Sequence, residues 1–105
     1  MADFQIILST CADQPEAERI AQRLVELGLA ACVNILPGVR SIYRWQGQIE
    51  SAAEVLLLIK TSAEHSEQVQ SAVASLHSYE TPELLVLPVA GGSAGYLGWL
   101  AASLG

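Results

Sequence analysis

The residues best suited to hold a ligand lie just before an apolar run near the end of the chain. His77, Tyr79, Glu80 and Glu83 fall within one short segment, and Pro82 fixes its direction. An imidazole nitrogen with carboxylate oxygens can bind a borderline divalent ion. The spacing His-x-x-Glu-x-x-Glu matches no dedicated metal motif, and His77 could equally sit at a helix C-terminus, where the helix dipole favours an imidazolium. Both interpretations stay open, with His77 and Glu80 as the candidate metal ligands.

The two cysteines, Cys11 and Cys32, lie far apart in the sequence and form no CxxC pair. This spacing excludes a thioredoxin-type motif and a zinc knuckle. Cys11 comes shortly before a predicted helix, whose first amides can lower a thiol pKa, but Asp13 and Glu16 oppose that effect. Cys32 stands in an apolar strand and is expected to be a small core residue. We expect both thiols to be reduced.

Aromatic and basic residues offer a second candidate site. Tyr43 and Trp45 are two positions apart in a predicted strand, so their side chains point to the same side. They form either a core or interface pair or a platform for a ligand. Lys60 ends an apolar strand, where its ammonium can bind an anion or form a salt bridge with Glu80.

Motifs for enzyme chemistry are missing from the sequence. It contains no GxSxG, no HExxH and no P-loop. The segment STCADQPE, after the first predicted strand, lacks the arginine of an acylphosphatase anion loop and the CxxC of a copper-chaperone domain. The remaining enzyme hypothesis uses Glu80 as a general base with Tyr79 nearby, and it names no nucleophile. We therefore predict a protein that is not an enzyme and needs no obligatory cofactor.

The composition predicts one small domain, residues 1–105, that associates with copies of itself. Of the 105 residues, 51% are hydrophobic and 15% are charged, which is more apolar than a typical soluble domain. The net charge is -6 and the basic residues are scattered, which excludes a nucleic-acid partner and favours cations. No apolar stretch is long enough to span a membrane, and the N-terminus lacks a secretory signal, so we expect a cytoplasmic protein without a membrane partner.

Hydrophobic periodicity predicts the elements that carry these residues. A strand at 4–10 precedes a helix that begins with the capping box Asp13 and Glu16 and ends at Gly28. One long strand follows, bent at Pro37-Gly38 between 30–36 and 39–45. A turn at 46–48 leads to a return strand that begins around Ile49 and becomes a continuous apolar run at 54–60.

The second half of the chain repeats the pattern. Thr61 and Glu64 have capping-box spacing and predict the start of a second helix, with a strand at 83–89 and a last helix capped by Ser93. The order is the ferredoxin-like βαββαβ arrangement with a C-terminal helix, an α+β fold with a four-stranded antiparallel sheet and a long bent β2-β3 hairpin. Both crossover helices cover one face of the sheet. The other face is too apolar to meet water, so we expect oligomerisation through it.

Four segments together resemble the CutA family of divalent-cation-tolerance proteins: AACVNILPGVRSIYRWQGQIE, EVLLLIKT, HSYETPELLVLPV and YLGWL. They cover nearly the whole chain in matching order and separation. The resemblance implies the ferredoxin-like fold and a homotrimer related to the PII signalling proteins, in which the long hairpin pairs with strands of neighbouring subunits. It also implies a role in tolerance of copper and other divalent ions.

The resemblance further implies an intersubunit cleft that contains Tyr43, Trp45, Lys60, His77, Tyr79, Glu80 and Pro82. The copper site suggested for family members uses a cysteine at the position of Ser9 and histidines at the positions of Leu76 and His77. In this chain only His77 is retained, and Cys11 lies two residues beyond Ser9. Weak binding of copper or another divalent ion therefore leads our hypotheses. The alternative is a PII-like trimeric sensor that holds a small effector in the cleft.

Overall fold

The computed structural model describes residues 3–105, which form one antiparallel sheet and three α-helices. The sheet has the strand order β2-β3-β1-β4. In chain order the elements are β1 (Phe4–Cys11), α1 (Gln14–Glu26), β2 (Cys32–Trp45), β3 (Gln48–Ser62), α2 (Ser66–Leu76), β4 (Leu85–Pro88) and α3 (Ala94–Ala102), with a 3-10 turn at Ala63–His65. The predicted α+β arrangement with a C-terminal helix is confirmed. None of the helices in this part of the chain combines the length and apolarity needed to cross a membrane.

The two faces of the sheet differ because side chains alternate along each strand. Between Ile7 and Cys11 of β1 and between Val55 and Thr61 of β3, every second residue is buried under α1 and α2: Ile7, Ser9, Cys11, Val55, Leu57, Ile59 and Thr61. On the opposite face Ile6, Leu8, Leu56 and Leu58 are half-buried, and Leu85 and Leu87 of β4 are exposed. We call this second, apolar face the open face. It is the uncovered face that the sequence predicts.

The β2-β3 hairpin is long and bent, as predicted. The two strands pair from Cys32 opposite Lys60 to Trp45 opposite Gln48, and the register shifts between Leu36 and Val39. Pro37-Gly38 supplies the one extra residue of this β-bulge, which bends the strand. The outer half of the hairpin carries exposed apolar side chains: Ile42 is 71% exposed, Trp45 57% and Ile49 64%.

Both ends of α1 follow from local sequence signals. The Asp13 carboxylate accepts a 2.9 Å hydrogen bond from the Glu16 amide, which makes Asp13 the N-cap. Gly28 has φ +71°, and the Gly28 and Leu29 amides donate to the carbonyls of Val25 and Leu24. This is a Schellman motif, which favours glycine at that position. The predicted N-cap Asp13 and the predicted C-terminal Gly28 are confirmed, but the Glu16 carboxylate accepts from the Ala12 amide in place of the Asp13 amide that a capping box uses.

The predicted capping box at Thr61 and Glu64 is wrong. Thr61 still belongs to β3, where it pairs with Gln5, and its buried hydroxyl donates to the Leu29 carbonyl at 2.6 Å. α2 begins later, after the 3-10 turn, and neither residue that precedes these two helical segments makes a side-chain cap bond. The hydroxyl that would have capped the helix instead fixes the entry to β2.

The fourth strand is shorter than predicted, at Leu85–Pro88. β4 pairs with β1 only from Gln5 to Leu8. From Ser9 to Cys11, the residues of β1 pair with β3 alone. The last predicted residue, Val89, still donates its amide to the Phe4 carbonyl at 3.0 Å. The segment before Leu85 is therefore free to carry the polar residues of the candidate site.

Candidate functional site

His77 follows directly after α2, and backbone groups hold both of its ring nitrogens. Nε2 lies 2.8 Å from the Thr10 carbonyl oxygen, and Nδ1 lies 3.0 Å from the Tyr79 amide nitrogen. A carbonyl only accepts and an amide N–H only donates, so these partners require the hydrogen on Nε2 and a lone pair on Nδ1. The imidazole therefore has a fixed orientation, and its Nδ1 carries a lone pair that could bind a metal ion.

Cys11 and Glu16 complete a group of three side chains that could hold a metal ion. One ligand atom of each of Cys11, Glu16 and His77 lies within 4.8 Å of the others. Cys11 is fully buried as the last residue of β1, Glu16 is 4% exposed, and His77 is half-buried. We call these three residues the Cys-Glu-His cluster. Sulfur, oxygen and nitrogen donors together suit a borderline divalent ion.

Glu16 is a buried carboxylate that two backbone amides hold in place. Oε1 accepts from the Ala12 amide at 3.1 Å, and Oε2 accepts from the Ser78 amide at 2.7 Å. Burial alone would raise the pKa of Glu16, but the hydrogen bonds from Ser78 and Ala12, with help from His77, lower this pKa below its usual value. Glu16 is thus a charged ligand of defined position.

Cys11 is buried, and negatively charged carboxylates lie near its thiol. Burial, followed by the charges of Glu16, Asp13 and Glu54, raises the pKa of the Cys11 thiol to about 11. The sequence prediction that Asp13 and Glu16 oppose a lowered thiol pKa is confirmed. The same carboxylates produce a negative local field, which is favourable for a cation.

Tyr79 connects the cluster to the hairpin. Its hydroxyl donates a 2.8 Å hydrogen bond to Glu54 of β3, and its ring centroid lies 4.7 Å from that of His77. Burial and the bond to Glu54 raise the pKa of Tyr79 above its usual value, and Tyr43 is near enough to add to the rise. The structure therefore brings the predicted residues His77 and Tyr79 together beside Glu54, whereas Tyr43 lies further along the hairpin, opposite Glu50.

A surface cleft of about 370 Å³ lies beside Glu54, between the end of β1 and the bulge of β2. It is lined by Ala12, Gly38, Val39, Arg40, Ala53, Glu54 and Val55. Tyr79 reaches the same carboxylate from the other side. The cleft and the Cys-Glu-His cluster are thus neighbours along β1 and β3.

Lys60 lies away from this region. It is opposite Cys32, whereas Glu54 is opposite Val39, so the two residues of β3 are about 20 Å apart. The Lys60 ammonium lies 3.5 Å from the Tyr96 hydroxyl and 5.7 Å from the centroid of that ring. The predicted alternative of a salt bridge with Glu80 is therefore wrong: in residues 3–105 the structure pairs Lys60 with α3 instead.

The other predicted residues are near the surface. Trp45 is exposed near the hairpin tip, Glu80 is exposed, and Pro82 is half-buried. Sequence reasoning missed Glu16 and Glu54 as site residues. The capping-box spacing of Asp13 and Glu16 places Glu16 at the start of α1, but no local signal points to the Ser78 amide or to the Tyr79 hydroxyl as partners.

Comparison with known proteins agrees with this architecture. The family model of the CutA1 divalent ion tolerance protein matches residues 5–103. The chain belongs to the CutA1 family. The predicted resemblance is thereby confirmed, and the family match covers every element that builds the Cys-Glu-His cluster.

Three members of the CutA1 family show how close the likeness is. The divalent-cation tolerance protein CutA of Pectobacterium atrosepticum is 48% identical over 104 residues, covering 99% of this chain and 94% of the relative. The crystal structure of CutA from Xylella fastidiosa has a TM-score of 0.96 at 45% identity and covers 98% of this chain and 99% of that one. The CutA structure from Archaeoglobus fulgidus, described as periplasmic, has a TM-score of 0.91 at 41% identity and covers 98% of both chains.

Proposed function

We propose that this chain functions as a homotrimeric divalent-cation-tolerance protein that binds copper or another divalent ion through His77. The CutA1 family match supports the link to divalent ions. The observation that carries the proposal is the Cys-Glu-His cluster, whose ligand atoms lie within 4.8 Å of one another around the predicted ligand His77. Glu80, the other predicted ligand, is exposed three residues further on and can approach an ion only from the surface.

Calorimetric titration of the reduced protein with copper tests the metal part of this proposal. We expect saturable binding that His77→Ala abolishes. His65→Ala is the matched control, because His65 is the other histidine and bonds to Ser62 and Gly105 instead of the cluster. Absent saturation, or equal binding by the His77 variant and the parent protein, would contradict the proposal.

The open face supports the trimeric assembly. Leu85 and Leu87 are 57% and 44% exposed and continue the apolar surface of Ile6 and Leu8 across the sheet. Contiguous apolar surface of this kind marks an association site. In the proposed trimer two further copies cover this face, and the exposed outer half of each hairpin pairs with a neighbour. The assembly is PII-like.

Light scattering at low micromolar concentration tests the assembly, with the mass of three chains as the expected result. Leu87→Glu places a charge on the open face and should shift the mass towards the single chain. Val25→Glu is the control, because Val25 is 47% exposed on the helical side of the sheet. A parent protein with the mass of one chain would overturn the proposal.

The cleft beside Glu54 favours a second candidate function, a PII-like sensor with a small effector between subunits. The contacts proposed for the effector are Tyr43, Trp45, Lys60, Tyr79 and Pro82. None of them lines the cleft within one chain, and Lys60 lies about 20 Å from Glu54, so in the proposed trimer Lys60 would have to come from a neighbouring subunit. The cleft volume of about 370 Å³ supports this alternative. Native mass spectrometry of the purified trimer decides between the two, because a bound organic ligand would add mass that metal chelation does not remove.

We propose no enzymatic role for the chain. Glu80, the candidate general base, lines neither of the two clefts described for this part of the chain, and its expected partner Lys60 contacts Tyr96. The cytoplasmic location stays a prediction, since the relative from Archaeoglobus fulgidus is described as periplasmic. Cell fractionation followed by immunoblotting measures it.

A further inference from the structure

A buried hydroxyl without a partner lies next to the Cys-Glu-His cluster. Ser9 is fully buried, and its Oγ has no hydrogen-bond partner among the described residues. Ser9 precedes Cys11 by two residues on β1, so both side chains point to the helical side of the sheet. An unsatisfied buried hydroxyl destabilises the folded chain, so a polar occupant near Ser9 and Cys11 would stabilise the protein.

The distances within the cluster are close to those of a metal site. Ligands around a tetrahedral zinc ion lie about 3.5 Å from one another, and the cluster atoms lie within 4.8 Å. Closing the difference needs side-chain shifts of about 1 Å, which rotation of the Cys11 side chain can supply while the Ala12 and Ser78 amides keep Glu16 in place. Cys11 ends β1, Glu16 is in the first turn of α1, and His77 follows α2, so three packed elements hold the donors.

The hydrogen bonds of His77 match those of a metal-bound histidine. Metal-ligating histidines usually donate the hydrogen of the second ring nitrogen to a carbonyl or carboxylate, which fixes the tautomer. The Nε2 to Thr10 carbonyl contact at 2.8 Å is of this kind. Nδ1 then supplies the lone pair, and the ion takes the place of the Tyr79 amide hydrogen that Nδ1 now accepts.

The charges of the donor set match a divalent ion. When the Cys11 sulfur binds the ion, its S–H proton leaves to solvent, and no electron is transferred. The resulting thiolate and the Glu16 carboxylate each carry one negative charge, and neutral His77 carries none, so together they balance two positive charges. Sulfur and imidazole ligands select ions of the zinc class over magnesium or calcium, which prefer oxygen.

We propose that Cys11, Glu16 and His77 bind one divalent ion of the zinc class in each chain. The proposal rests on the metal binding proposed above and deepens it by naming the ligands. It replaces the predicted partner Glu80 with Cys11 and Glu16. It also differs from the ligand set that the family resemblance implies at Ser9 and Leu76.

Titration of the reduced protein with cobalt(II), a spectroscopic substitute for zinc(II), tests the ligands directly. We expect one cobalt per chain and a thiolate-to-cobalt charge-transfer band in the near ultraviolet, which added zinc(II) removes. Cys11→Ser should abolish the band, whereas Cys32→Ser should leave it unchanged. Glu16→Gln should weaken zinc binding by more than about tenfold, since even the outer partners of metal ligands contribute 10- to 100-fold. Glu80→Gln is its matched control.

The thiolate band of the unmodified protein tests the cysteine ligand even if the Cys11 variant fails to fold. Saturable binding that depends on His77 but gives no thiolate band would overturn the Cys11 assignment and leave the proposed function standing. Equal zinc affinity of Glu16→Gln and Glu80→Gln would overturn the Glu16 assignment. Absence of saturable binding for cobalt, zinc and copper would overturn both this inference and the metal part of the proposed function.

Discussion

The Glu16 carboxylate accepts a 2.7 Å hydrogen bond from the backbone amide of Ser78, which lies 62 residues further along the chain. The bond joins the first turn of α1 to the segment that leaves α2. Glu16 is only 4% exposed, so its charge depends on the Ser78 and Ala12 amides in place of water. It therefore fixes where His77 enters the cluster, whether or not an ion is bound.

Glu16→Gln should lower the free energy of unfolding by about 2 kcal/mol, because the amide group of glutamine would oppose one of the two backbone donors. Glu18→Gln should change it by less than about 0.5 kcal/mol, since Glu18 is exposed and bonds only to Gln14. Urea unfolding of metal-free samples at one protein concentration measures both values. Equal losses in the two variants would show that the buried carboxylate is not a structural link.

The contribution of Glu16 to stability should depend on acid pH. Its folded-state pKa is lowered from the ordinary value of 4.5, so the stabilisation is fully present above that value. As the pH falls through the folded-state pKa, the carboxylate is protonated and the stabilisation is lost. The difference in unfolding free energy between the parent protein and Glu16→Gln should therefore be constant near neutral pH and shrink in acid. A difference that persists unchanged in acid would refute the link to ionisation.

Cys11 should resist thiol reagents in the folded, metal-free protein. It is fully buried, and its pKa is raised to about 11, so little reactive thiolate is present near neutral pH. In a Cys32→Ser background the remaining thiol should react with Ellman's reagent only after urea is added. Rapid reaction of the folded variant would mean that Cys11 is more accessible than the structure shows.

Gly28→Ala should destabilise the protein more than Gly47→Ala. Both glycines have positive φ, at +71° and +79°, so both substitutions strain the backbone by about 1 kcal/mol. A Cβ on Gly28 would also approach the Gly105 backbone to 3.0 Å, whereas a Cβ on Gly47 meets nothing within 4 Å. The difference between the two variants in unfolding free energy, measured by urea unfolding, gives the part of the destabilisation that comes from the clash with the Gly105 backbone. Equal losses of unfolding free energy in the two variants would show that the Gly105 backbone moves aside without destabilising the protein.

The sequence predicts those parts of the fold that depend on neighbours along the chain. The cap at Asp13, the left-handed turn at Gly28 and the bend at Pro37-Gly38 each rest on residues within a few positions of one another. Strand and helix periodicity adds which face of each element is apolar. Together these local signals are sufficient for the βαββαβ order and for one uncovered sheet face.

The contacts that sequence reasoning missed join residues distant in the sequence. Thr61 was assigned to a helix cap because Glu64 has the right spacing, but its hydroxyl binds the Leu29 carbonyl, 32 positions away. Lys60 similarly binds Tyr96, 36 positions away, and not Glu80. Such pairings depend on how the helices and strands pack, so the spacing of residues along the chain does not predict them.

The position of β2 at the edge of the sheet has a consequence for newly made chains. Strand order leaves the outer side of this 14-residue strand without a neighbouring strand among residues 3–105. An unpaired strand edge is a template for any exposed strand it meets, and Pro37 with the charged Arg40 and Arg44 interrupts that template only in part. Until the strands of the proposed trimer pair with this edge, a newly made chain is prone to strand-to-strand aggregation, which increases with the concentration of unassembled chains.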